Sequence, residues 1–85
     1  MMNRKEEVLV IFMEECGEAI RAASKIIRFG GEKKNMRELE KELGDVLAMM
    51  KLVDEECGLD QNRMLQFAEK KLEKVERFMT NKRAD

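Results

Sequence analysis

The chain has 85 residues, a formal net charge of −1 with 41% of residues charged, two cysteines, no histidine and no proline. A chain of this length holds one domain with a small core, which often needs a partner to close it. The balanced charge excludes a protein that binds nucleic acid through a basic excess, and the lack of histidine excludes His-based zinc sites, Ser-His-Asp triads and histidine acid–base chemistry. Cys16 and Cys57 are far apart and neither lies in a CxxC, which points to a reduced, cytoplasmic setting rather than a disulfide framework. No stretch reaches the roughly 18–20 apolar residues of a membrane span, and no signal-peptide pattern opens the chain.

Strong helix formers and a 3.6-residue apolar period predict an all-α fold, a single domain of three helices over about residues 3–29, 36–57 and 60–80. The first helix stops at Gly30-Gly31, a helix-terminating pair. On a wheel of about 100° per residue, its apolar arc holds Val8, Ile11, Phe12, Ala19, Ala22, Ala23 and Ile26. Glu15 falls inside that arc, Glu14 and Glu18 lie on its border, and Lys25 shares their angle. A polar loop, GGEKKN, follows. The second helix has Asn35 as its expected N-cap, with Glu38 placed as in a capping box, and it ends at Gly58. Its main arc is Leu39, Leu43, Val46, Leu47, Met50, Val53 and Cys57, and Met49, Leu52 and Ala48 extend it round the other side. Glu42 and Asp45 interrupt this nearly continuous apolar surface. The third helix has Met64, Leu65, Phe67, Ala68, Leu72, Val75, Phe78 and Met79 on its arc. Lys71 lies within it, Lys74 at its edge, and Lys70 and Arg77 further out. The tail, residues 81–85, reads as frayed.

Carboxylates among apolar neighbours are costly unless they are paired or hold a metal. Glu15/Glu18 and Glu42/Asp45 are both i, i+3 pairs, so each helix projects two carboxylates from one face. Two such helices packed together bring four carboxylates to one point. An all-oxygen ligand set suits a hard cation, Mg²⁺ or Mn²⁺, which commonly also binds substrate phosphates. The bland reading is that helical glutamates and lysines are solvated surface. It explains each residue singly but not the matched spacing of the four.

Glu14-Glu15-Cys16-Gly17-Glu18 reads EExxE, and Glu42-Leu43-Gly44-Asp45 reads ExxD, with 23 residues between Glu18 and Glu42. This pair of motifs resembles the signature of the MazG-like, all-α nucleoside triphosphate pyrophosphohydrolases. The likeness covers about residues 8–78, and the segment Ser24 to Gly30 resembles short phage-encoded members. The resemblance implies Mg²⁺-dependent hydrolysis of a nucleoside triphosphate to the monophosphate and pyrophosphate. It implies Glu15, Glu18, Glu42 and Asp45 as metal ligands, with Glu14 at a second ion or water. Glu14 or Glu15 is then the expected general base. Lys25, Lys71 and Lys74, with Arg77 or Arg28 as weaker choices, are the candidates to hold phosphates. Members of the family often carry a Lys followed by an Asn and an Arg near the C-terminus; here the Asn position is Lys74 or Val75, which departs from the pattern.

Ring stacking on a base is open only to Phe12, Phe29, Phe67 and Phe78, for which core packing is the simpler expectation, as it is for the eight methionines. Gly17 and Gly44 sit mid-helix, where glycine costs about 1 kcal/mol relative to alanine. Close helix approach or room for substrate would each explain them. The second helix is apolar on too many sides for one three-helix protomer to cover, which predicts at least a homodimer, with sites built from both chains, and the resemblance implies a dimer or a dimer of dimers. A phosphoribosyl-ATP pyrophosphohydrolase and a non-catalytic helical scaffold are the alternatives. The first is separated by a substrate panel and the second by metal independence.

Overall fold

The computed structural model describes residues 1–83 as three helices, α1 (Arg4–Phe29), α2 (Lys33–Cys57) and α3 (Gln61–Phe78), with no strand among the described residues. A reciprocal capping box opens α1. The Asn3 side chain accepts from the Glu6 N–H at 2.8 Å, and the Glu6 carboxylate accepts from the Asn3 N–H at 3.0 Å. The helix closes on Gly30, whose φ of +102° few L side chains adopt.

The start of α2 differs from the sequence expectation. The helix begins at Lys33 with Glu32 as N-cap and no side-chain capping bond. Asn35 lies inside it and donates its side-chain amide to the Gly30 carbonyl at 3.0 Å, tying α2 to the end of α1. Glu38 accepts two bonds from Lys25, at 3.0 and 3.1 Å, so a contact between helices has displaced the local capping box. At its other end α2 closes on Gly58, in the left-handed conformation at φ +62°. Asp60 then caps α3 by accepting from the Arg63 N–H at 3.0 Å.

Within the tail expected to fray, Lys82 and Arg83 are tied back to α3. Lys82 donates to the carbonyls of Glu76 and Arg77 at 2.7 and 2.6 Å, and the Arg83 N–H reaches the Glu76 carboxylate at 2.8 Å. A lysine ammonium there satisfies carbonyls that a helix end leaves open. Residues 84 and 85 lie outside the described residues.

α1 and α2 form an antiparallel hairpin, clamped by Arg4–Glu56 at 3.1 Å near one end and Lys25–Glu38 at the other. Its tightly buried apolar residues are only Val8, Ala22 and Met49. The choice of Met49 is informative, because it lies on the flank of α2 that carries Glu42 and Asp45. The centre of the apolar arc read from the sequence, with Leu43, Leu47 and Met50, is left uncovered, Leu47 being 65% exposed. α3 packs along neither helix, and every residue of it except Glu76 is exposed. The molecule is 17 Å thick at its narrowest, a single layer of helices.

Candidate metal centre

Glu15 points from the middle of α1 toward α2, where Glu42 and Asp45 stand one turn apart. One carboxylate oxygen from each of the three lies within 4.8 Å of the other two. All three residues are half-buried, and the Glu42 side chain is only 12% exposed. The hairpin register that sets Arg4 on Glu56 and Lys25 on Glu38 also sets Glu15 beside Glu42 and Asp45. Partial burial, then the charges of Asp45 and Glu42, push the Glu15 carboxyl above its ordinary value, with Lys41 opposing.

Lys41 joins this group from outside the candidates that the sequence offers. Its ammonium donates to Asp45 at 2.9 Å and to Glu42 at 3.4 Å. Those two hydrogen bonds raise the Lys41 ammonium above the usual lysine value. The available signal was its place four residues before Asp45, a spacing common to many surface pairs.

The other candidates are placed as follows. Glu18 lies one turn along α1 from Glu15 and pairs with Arg21 at 3.7 Å, outside the group of three. Glu14 is exposed beside Glu15. Lys25 is taken up by Glu38 near the loop end of the hairpin. Lys71, Lys74 and Arg77 line one open hollow on α3 with Phe67, Lys70 and Glu73, and none of these residues comes from the hairpin. Arg28 stacks over the Phe29 ring, 5.0 Å from its centre. Phe29, Phe67 and Phe78 are all exposed, so within the chain none of them packs in a core. Gly17 and Gly44 meet open space, for an added Cβ at either would touch nothing within 4 Å. Close approach inside the hairpin does not account for them.

Residues 3–79 match the family model described as the MazG nucleotide pyrophosphohydrolase domain. The chain belongs to the MazG family. No curated protein and no solved structure matches it. The MazG match takes in both carboxylate motifs and all three helices, so the activity it indicates in general is that of a nucleotide pyrophosphohydrolase.

A divalent cation fits the MazG carboxylates on chemistry and on size. The donors are all oxygen, which favours hard cations. Ligands about 2.1 Å from Mg²⁺ stand at most about 4.2 Å apart, so oxygens within 4.8 Å need only small side-chain rotations to close on one. The group also already holds a cation, the Lys41 ammonium.

Proposed function

We propose that this MazG protein is a Mg²⁺-dependent hydrolase that cleaves nucleoside or deoxynucleoside triphosphates between the α and β phosphates, releasing the monophosphate and pyrophosphate. The observation that carries this reading is the meeting of Glu15, from EExxE, with Glu42 and Asp45, from ExxD, in a chain matched to the family over residues 3–79. Glu15, Glu42 and Asp45 hold the cation, with Glu18 joining after release from Arg21. A cation bound there neutralises phosphate charge and makes a coordinated water more acidic. Mn²⁺ is an expected substitute, since it prefers the same oxygen ligands. Glu15 or Glu14 takes the proton from the attacking water.

The working form we propose is a homodimer or a dimer of dimers. A monomer of 10.0 kDa is expected to expose about 5,200 Å². This chain exposes 7,421 Å², an excess of about 2,200 Å² that falls in the range a stable interface buries. Exposed apolar side chains stand on all three helices, with Ile20, Leu47 and Leu72 each more than 60% exposed. The phosphate-binding cations Lys71, Lys74 and Arg77 stand on α3, away from the carboxylates of their own hairpin. A second chain supplies them in this reading. Lys25 joins them only by leaving Glu38.

The deciding experiment is pyrophosphate release from a panel of ribo- and deoxyribonucleoside triphosphates with Mg²⁺, with EDTA, and with Glu42→Gln. Metal-dependent release, reduced at least 100-fold in the folded variant, is expected. The absence of turnover with every triphosphate would overturn the reading.

A further inference from the structure

The Lys41 ammonium sits against two of the carboxylates that a cation would need. It lies 2.9 Å from Asp45 and 3.4 Å from Glu42, the two carboxylates that meet Glu15. A simple helical pair does not explain this choice. Acid before base is the favourable order at i, i+4, whereas Lys41–Asp45 runs the other way. Glu38, three residues before Lys41, is already occupied by Lys25. What draws Lys41 to this side is the sum of three nearby carboxylates, one of them on the opposite helix. We propose that Lys41 is an intramolecular counter-cation, seated in the carboxylate group of the metal-free protein and displaced when a divalent cation binds.

This inference rests on the metal-centre reading above and adds a device to it. In the metal-free chain Lys41 offsets repulsion among Glu15, Glu42 and Asp45, which keeps the hairpin together with its ligands gathered. On metal binding the carboxylates exchange one ammonium for a doubly charged ion, and the Lys41 side chain, 69% exposed, swings into solvent with no change in the backbone. Lys41 therefore lowers the affinity for metal while it stabilises the empty site. It is a positioning residue, acting through Asp45 and Glu42.

The test uses the full chain without nucleotide. Mn²⁺ binding is measured by electron paramagnetic resonance for wild type, Lys41→Gln, Lys41→Arg and Lys51→Gln, the last removing the same charge from an exposed position along α2. Lys41→Gln is expected to bind Mn²⁺ roughly two- to fivefold more tightly, the factor set by an exposed ion pair that no longer has to be broken. Lys41→Arg and Lys51→Gln are expected to stay within twofold of wild type. Lys41→Gln is also expected to melt at a lower temperature than wild type in EDTA, but not with saturating Mn²⁺. An independent reading on wild type is the side-chain NH₃⁺ resonance of Lys41, which should shift as Mg²⁺ is added. Unchanged or weaker Mn²⁺ binding by Lys41→Gln overturns the proposal, and so does a Lys41 resonance that ignores Mg²⁺. Equal tightening by Lys51→Gln overturns it too, because the effect is then one of bulk charge. If wild type binds no Mn²⁺, the metal-centre reading falls first and this inference with it.

Discussion

Glu15 shows how a helix position becomes a functional group. On α1 alone it is one glutamate inside an apolar arc. Set against α2 it is partly buried and faces Asp45 and Glu42, and these effects, in that order, raise its carboxyl above the ordinary value, with Lys41 opposing. The sign of the linkage follows. Between the unfolded value of 4.5 and the raised folded value, the folded chain binds more protons than the unfolded one. The contribution of Glu15 to stability in EDTA therefore falls as pH rises through that window. Thermal melting of the metal-free protein across mildly acid pH should show this slope, and Glu15→Gln should flatten it and raise the melting temperature at neutral pH. Metal affinity runs the opposite way and strengthens with rising pH, since the ligand must be ionised. A metal-free melting curve equally dependent on pH in Glu15→Gln would contradict this account.

Among the elements, the hairpin is held by its ends and by its caps as much as by its core. Lys25–Glu38 spans α1 and α2 with both side chains about one-third exposed, so solvent screens it. Lys25→Met should cost about 0.5 kcal/mol by chemical denaturation, little enough to leave the fold intact. If Lys25 also binds phosphate, the same variant should raise KM for a triphosphate well beyond what that small loss of stability explains. Gly58 closes α2 at φ +62°, where a β-carbon is strained although the surrounding space is open. Gly58→Ala should cost about 1 kcal/mol through backbone strain alone. α3 contrasts with the hairpin. It is amphipathic, capped by Asp60 and Lys82, and packs along neither helix of the hairpin. A helix of 18 residues with an uncovered apolar face has little stability alone, because most helical stability in proteins comes from packing that face.

At the scale of the whole molecule, these uncovered faces predict association. Sedimentation equilibrium should find two or more chains per particle at micromolar concentration. Leu72→Glu, which places a charge in the middle of the exposed face of α3, should shift the particle toward monomer and lower helicity together. A folded wild-type monomer under those conditions would refute the dimer. Met50, Met64, Phe67 and Phe78 belong to the same problem, since their places on the apolar arcs mark them as buried while one chain leaves them in solvent.

The three helices, their stops at Gly30 and Gly58, and the two carboxylate motifs were all legible in the sequence, because helix propensity, glycine stops and 3.6-residue spacing act within a few residues of one another. Periodicity also marked Glu15, Glu42 and Asp45 as misplaced among apolar neighbours. It could not say which neighbours they meet, since a helical wheel fixes an angle about an axis and leaves the facing element open. Only the register of α1 against α2 decided that Glu15 joins Glu42 and Asp45 while Glu18 turns to Arg21, that Glu38 pairs with Lys25 instead of closing a capping box, and that Lys41 enters the carboxylate group. Only the tertiary structure decided that α2 turns its Met49 flank toward α1 and leaves the centre of its longer apolar arc free. Burial is a property of pairs of surfaces, and a sequence read one helix at a time contains each surface without its partner.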